Sequence, residues 1–361
     1  MTARDRSIVC LAALALALAA CDDDSDPAAA AADAAAADAS ADAMPDAADD
    51  LDAAPDMAAD AAPDLGSDLA LDPDATPDGG AGFAYATCAA ADRVGVFRVE
   101  LAEGFTGVQG QVADGVNPAQ IPDVHATAGD CRLLRPPELF CDPGCVGGTT
   151  CAADGTCVAI PSNVDVGAVT VTGLRAPVRM TASAPVWFYT NRDPLPHPGF
   201  DPGDAIRLDA EGNAGDAFTL RGEGIAPLVV DADTLALEAA TDATLRWTPP
   251  PGPTAARIHL DLNIANHGGT PARIECETAD DGEATIPAEL VDLLLGLGFS
   301  GFPTVVVTRR TVDAVDIELG CVELRVLSSQ VLDVEIPGLV SCGGDEDCPA
   351  GQTCQPDLTC A

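Results

Sequence analysis

The chain has 361 residues and a formal net charge of −41, with 58 acidic residues against 17 basic ones. All 17 basic residues are Arg; the missing Lys excludes Schiff-base chemistry and the lysines on which P-loop and kinase sites depend. Residues 81–361 hold 39 acidic residues and 15 Arg, a net of −24, which repels phosphate backbones and anionic lipid surfaces and excludes nucleic acid as a partner.

Arg4 and Arg6 open the chain, an apolar run from Ile8 to Ala20 follows, and the small residues Ala19 and Ala20 precede Cys21. The run is too short to span a bilayer, and the layout is that of an export signal over 1–20. With Cys at the cut, Leu18-Ala-Ala-Cys21 resembles the lipobox of bacterial lipoproteins. The resemblance implies acylation of Cys21 and a membrane partner reached through the lipid. Two or three acyl chains, at roughly 0.8 kcal/mol per buried CH₂, hold stably where a single chain does not. Asp22 resembles an inner-membrane retention signal; the expectation here is nonetheless the outer-membrane surface, with the periplasmic face as the alternative.

Residues 21–82, after the lipid Cys, form an Ala/Asp/Pro tract in which 22–80 contain 18 Asp and no basic residue. Pro interrupts helix and like charge extends the chain, so a disordered stalk is expected, reaching roughly 40–45 Å as a flexible coil. Residues 83–140 read as a small β unit. Val94-Gly-Val-Phe-Arg-Val-Glu-Leu101 alternates apolar and polar positions, Gly104 and Gly107 mark a turn, and Val108-Gln-Gly-Gln-Val112 follows. Cys88 and Cys131 flank this unit and could close it.

An internal repeat then appears. Cys145-Val-Gly-Gly-Thr-Thr-Cys151-Ala-Ala-Asp-Gly-Thr-Cys157 matches Cys348-Pro-Ala-Gly-Gln-Thr-Cys354-Gln-Pro-Asp-Leu-Thr-Cys360, and Cys141 and Cys342 add one Cys upstream of each. These four-Cys modules, 141–160 and 341–361, are too short to bury a core and must be cross-linked. Zinc sites favour tighter Cys pairs and often His, whereas here the gap is five residues and an exported compartment oxidises thiols. We therefore expect disulfides and no metal; of three pairings per module, first-to-third with second-to-fourth is preferred. With Cys88, Cys131, Cys276 and Cys321, the twelve Cys outside the signal and lipid site make six bridges.

Residues 161–340 form an all-β body. Candidate strands are Val164–Val171, Val186-Trp-Phe-Tyr189, Phe218–Arg221, Thr234–Glu238, Thr244–Trp247, Arg257–Ile264, Thr304–Thr308, Asp313–Ile317 and Val322–Val326. Arg257–Ile264 is the clearest, with Ile258, Leu260, Leu262 and Ile264 on one face and Arg257, His259, Asp261 and Asn263 on the other. Short strands separated by Gly, Pro and Asp suggest an antiparallel β-sandwich. One helix is expected over Pro287–Leu295, with Gly296 as its stop.

Trp247-Thr-Pro-Pro-Pro251 before a long alternating strand, then Ile274-Glu-Cys276 and Ile286-Pro-Ala-Glu-Leu290, resembles bacterial immunoglobulin-like and fibronectin-like domains. The resemblance implies a Cys276–Cys321 staple. The lipobox, the Ala/Asp stalk and the Cys342–Cys354 tail together resemble Cys-rich surface lipoproteins of the myxobacterial kind.

No catalytic set emerges. His125, His197, His259 and His267 form no short metal-type pair; His259 shares a strand face with Asp261, the best local ligand pair, against the simpler reading of a solvated face. Ser300 in Gly298-Phe-Ser-Gly301 misses the nucleophile-elbow spacing. Asp209-Ala-Glu-Gly-Asn213 with Asp216 lacks the sixth-position Gly and twelfth-position Glu of an EF-hand, having Ala214 and Leu220 there, which leaves a looser calcium site as the only cofactor reading. Arg309-Arg310 could hold a carboxylate ligand or form an internal ion pair. The expectation is a lipid-anchored, non-enzymatic envelope protein with a structural or adhesive role. The alternatives are a glycan- or peptide-binding module using Trp187-Phe-Tyr189, and a hydrolase using His259 or His267 beside carboxylates.

Overall fold

The structure is a computed structural model and describes residues 83–213, 215–265 and 271–361. The signal 1–20, Cys21 and the stalk assigned to 21–82 lie outside the described residues.

The described residues are mostly β. The amino-terminal strands are β1 (Arg93–Ala102), β2 (Phe105–Val112), β3 (Asp123–Ala128), β4 (Cys131–Arg135), β5 (Thr149–Cys151) and β6 (Cys157–Ala159). The body adds β7 (Val169–Thr172), β8 (Val178–Met180), β9 (Tyr189–Thr190), β10 (Ala205–Ala210), β11 (Phe218–Glu223), β12 (Thr234–Ala236), β13 (Ala243–Arg246), β14 (Arg257–Asn263), β15 (Arg273–Ala279) and β16 (Glu283–Ile286). Then come the helix α1 (Ala288–Gly296) and the long strands β17 (Thr304–Ile317) and β18 (Gly320–Glu335).

One sheet runs β3-β4-β15-β14-β17-β18-β1-β2-β9, with β12 also on β18; a second runs β11-β10-β7-β8; β13-β16 and β5-β6 are two-stranded. The strands of 83–140 thus join the same sheet as the body, at two separate places. Two pairings depart from the expected antiparallel pattern: β1 and β12 both lie parallel to β18. Parallel neighbours need long connections, and β1 and β18 are separated by most of the described chain.

The β17–β18 hairpin organises the fold. The segments Thr304–Thr308 and Asp313–Ile317, expected as two strands, are one, because Arg309, Arg310 and Thr311 between them are buried strand residues. Polar residues there look like a break in the sequence but face partners on both sides of the sheet. On one face of the hairpin, Val322, Leu324 and Val326 pack with Phe97, Val99, Ile206, Leu208 and Leu220 in one core. Further along the same face, Val305, Val307, Leu332 and Val334 pack with Leu245, Trp247, Ile286 and the helix residues Leu290, Val291 and Leu294 in another. Each buried Leu, Ile or Phe contributes about 1.5–3 kcal/mol.

Between the two cores the hairpin face turns polar. Arg309 and Ser328 are cross-strand partners. Arg309 reaches the carbonyls of Ala226 and Pro227, Ser328 Oγ accepts from the Leu228 amide at 3.2 Å, and Thr311 Oγ1 donates to the Glu223 carbonyl at 2.9 Å. The link from β11 to β12 is thereby bolted across the seam.

Elsewhere the strand expectations were partly displaced. Val164–Val171 becomes strand only from Val169, and of Val186–Tyr189 only Tyr189 is strand. The helix starts one residue later than expected: Pro287 is the cap residue and Gly296 the last helical one. Pro287 offers no side-chain cap; the Asp242 carboxylate accepts from the Ala288 amide at 2.7 Å instead.

Candidate functional site

All twelve Cys among the described residues are in disulfides. The modules pair first to third and second to fourth: Cys141–Cys151 and Cys145–Cys157, then Cys342–Cys354 and Cys348–Cys360. The other four pair differently from expectation. Cys88 does not close the small unit with Cys131; it bonds Cys321, 233 residues away. Cys131 bonds Cys276, so the Cys276–Cys321 staple does not form. The cause is register: Cys131 and Cys276 sit opposite each other on β4 and β15, with Cα atoms 4.0 Å apart. The clustered sulfurs of Cys141, Cys145 and Cys157, and of Cys342, Cys348 and Cys360, are oxidised and cannot act as thiolate ligands.

The segment that follows the proposed stalk is pinned to the central hairpin. Beside the Cys88–Cys321 bond, the Ala86 amide donates to the Val312 carbonyl at 2.9 Å and the Cys88 amide to Glu323 Oε1 at 2.8 Å. Glu323 is fully buried and also meets Arg93 and Arg325. Tyr85 Oη accepts from Arg310 Nε at 3.1 Å, and its ring lies 5.4 Å below the Arg257 guanidinium. Burial pushes the Tyr85 phenol well above its ordinary value.

His259 lies in this charged patch. Period-two alternation on β14 places it with Asp261 opposite the core face, as expected. Register then adds residues that could not be paired from sequence: Glu277 and Thr308 flank His259, and Glu275 flanks Asp261. His259 Nδ1 is buried without a hydrogen-bond partner and is 3.9 Å from Glu277 Oε2. Burial, then Arg310, pulls its pKa down to about 4 despite the two glutamates, so it is neutral at neutral pH. Burial raises Asp261. Burial also opposes ionisation of Glu275 and Glu277, but Arg273 and Arg310 respectively outweigh it and hold both below the ordinary range.

Ligand atoms of His259, Asp261 and Glu275 lie within 4.8 Å of one another, the spacing of a cation centre. Arg273 already serves as the cation: it donates to Glu275 Oε1 at 2.7 Å and lies 3.6 Å from Asp261 Oδ2, while Arg132 takes the other Glu275 oxygen at 3.1 Å. No hydroxyl or thiol is hydrogen-bonded to His259 among the described residues.

The other sequence candidates are scattered. The Trp187-Phe-Tyr189 cluster is split: Tyr189 is core, its Oη held by the Val166 amide and Asp165 and its pKa pushed up to about 12 by burial, whereas Phe188 is 40% exposed. Trp187 has φ of +43°, a left-handed backbone that bulky residues adopt only under constraint. In the looser calcium reading, Asp209 is held by Arg207 and Thr219, Glu211 by Arg179, and Asn213 donates to Asp165; Ala214 lies outside the described residues. Ser300 is buried, its amide bonded to the Ile264 carbonyl. Arg309 and Arg310 both form internal pairs, with Asp280 and Glu277. His125 is exposed on β3, His197 Nδ1 lies 3.3 Å from Thr106 Oγ1, and His267 is outside the described residues.

Sequence reasoning missed a groove of about 510 Å³ across the outer face of β1 and β2. Arg98 on β1 stands beside Gln109 on β2, with Gln111 one step along the same face, and Asn163 and Phe188 closing the side. The alternating Gln109 and Gln111 were readable as a polar strand face; their neighbours Asn163 and Phe188, brought in from distant loops, were not. A larger cavity of about 760 Å³ at the end of the β1–β2 hairpin carries Glu103, Asp233 and Asp333.

No protein-family model matches the chain, and no curated protein matches it.

Proposed function

We propose that this chain is an exported, lipid-anchored protein of the bacterial envelope, acylated at Cys21, with a structural or adhesive cell-contact role and no catalysis. The observation that carries the reading is the Cys88–Cys321 disulfide. It ties the residues immediately after the Asp-rich tract to the hairpin on which both cores are built. A tether entering there is covalently joined to β18, a strand that contributes to both cores. Five further disulfides brace the rest of the described chain, as suits a protein that works in an oxidising compartment.

The absence of catalysis is supported by His259, the best-placed titratable group, whose neighbours are ion-paired carboxylates and arginines. The body is proposed as a β-sandwich of immunoglobulin-like or fibronectin-like kind, a reading supported by the core between the β11-β10-β7-β8 sheet and β1, β2 and β18. The lineage proposed is that of Cys-rich surface lipoproteins of the myxobacterial kind, at the outer-membrane surface in preference to the periplasmic face. The groove beside Arg98 favours a second reading, a glycan-binding module.

The anchor is tested by feeding cells an alkyne-bearing palmitate and comparing the full chain with its Cys21→Ser variant. The reading expects label and membrane retention that the variant loses. Equal labelling of both, or none in either, would overturn it.

A further inference from the structure

Two adjoining grooves in a body of net charge −24 are lined by no carboxylate. The first is the groove of about 510 Å³ beside Arg98; the second, of about 300 Å³, shares Gln120 with it. A third groove, which shares Gln109 with the first, carries Glu100 and Asp193 and bounds this surface on that side. We propose that the two grooves without carboxylates bind an acidic oligosaccharide, with Arg98 taking a sugar carboxylate and the side-chain amides taking hydroxyls.

Arg98 is exposed and makes no ion pair or hydrogen bond among the described residues. Most arginines among the described residues are held by a carboxylate, including its cross-strand neighbour Arg325, which pairs with Glu323. A guanidinium left open offers a planar fork of donors that matches a carboxylate. The side chains of Arg192 and Arg221 are likewise exposed without a carboxylate partner among the described residues, but Arg98 alone of the three stands beside the side-chain amides of this groove.

The amides beside it are pre-arranged. Asn163 Nδ2 donates to Gln111 Oε1 at 3.3 Å and to the Val186 carbonyl at 2.9 Å. That leaves the Gln111 amide nitrogen as a donor and the Asn163 amide oxygen as an acceptor, an adjacent pair suited to neighbouring hydroxyls. Gln109 stands next to Arg98 with its amide unengaged. Phe188 supplies an apolar, partly exposed ring at the groove for the C–H face of a sugar. An acidic peptide would compete for Arg98 and for the same amides, and hexa-aspartate is the comparison that separates the two.

This inference rests on the adhesive reading for its setting, but binding is measured in solution, so each can fail without the other. Trigalacturonate is titrated calorimetrically into the full chain in detergent, with cellotriose and hexa-aspartate as comparisons. We expect saturable trigalacturonate binding that weakens with added salt. Arg98→Gln and Gln111→Ala, both exposed and outside the cores, should each weaken it at least tenfold, and cellotriose should bind at least tenfold less tightly. The proposal is overturned by no saturable trigalacturonate binding, by binding unchanged in both variants, or by hexa-aspartate binding as tightly.

Discussion

Arg309 Nε donates to Asp280 Oδ2 at 2.6 Å, and both side chains are sealed from solvent, at 2% and 0% exposure, where the two hydrophobic cores meet. The arrangement is saturated. Asp280 Oδ1 accepts from Arg309 Nη2 at 3.0 Å and from Trp247 Nε1 at 2.8 Å, and the remaining guanidinium donors reach the carbonyls of Ala226, Pro227 and Thr248. A buried charge is tolerable only with such complete pairing. The seam therefore joins the β17 strand, the β15–β16 turn and the β11–β12 link through one guanidinium.

Asp280→Ala should accordingly destabilise the fold by about 3–5 kcal/mol, because it strands the Arg309 charge and the Trp247 N–H together. The midpoint of guanidinium denaturation checks this. A loss under about 1 kcal/mol would mean that water or another carboxylate reaches the seam.

His259 makes stability depend on pH. Its pKa in the fold is about 4 against an ordinary 6.5, set by burial and Arg310 against Glu275 and Glu277, with Arg325 also unfavourable. As pH falls below 6.5 the unfolded chain takes up a proton that the folded chain refuses. Stability is therefore intact above 6.5 and is lost towards pH 4, by about 3 kcal/mol from this residue. His259→Gln should flatten that part of the profile. Parallel profiles for the two proteins would show that His259 takes up its proton at the same pH in the folded and unfolded chain.

The Cys88–Cys321 bond spans 233 residues and Cys348–Cys360 spans 12. On chain entropy the first contributes about 5 kcal/mol and the second about 3 kcal/mol. Replacing Cys88 and Cys321 by Ser should lower the thermal midpoint more than replacing Cys348 and Cys360, and should open residues 83–92 to protease. Equal shifts, with that segment still protected, would place its attachment in Tyr85 and Glu323 alone.

Gly173 has φ of +85°, and a Cβ there would sit 2.0 Å from the Ala205 carbonyl oxygen. Gly173→Ala should be strongly destabilising, by several times the roughly 1 kcal/mol of an ordinary Gly-to-Ala misfit. Gly252, where a Cβ meets nothing within 4 Å, is the control and should be close to neutral. Thermal midpoints of the two variants decide it.

What could be read from the sequence follows how local each interaction is. The face shared by His259 and Asp261 follows from strand period alone, and the bridges within each module join Cys 10 or 12 residues apart, so both were legible. The partners of Cys88 and Cys131 depend on β1 lying beside β18 and β4 beside β15, pairings between segments far apart in sequence. Glu277, Arg310 and Tyr85 meet for the same reason. The middle of β17 was unreadable because Arg309, Arg310 and Thr311 carry polar groups into buried positions and satisfy them there. The groove at Arg98 needed two loops, at Asn163 and Phe188, that no periodicity connects to β2.

The function proposed above requires the ectodomain to be displayed on a lipid-anchored stalk. The most direct test is to treat intact cells expressing the full chain with a protease and follow the fragment that starts near residue 83. Surface display should release a disulfide-held ectodomain into the medium while periplasmic markers stay protected. Full protection of the chain, with cleavage only after the outer membrane is ruptured, would contradict surface display and remove the adhesive reading.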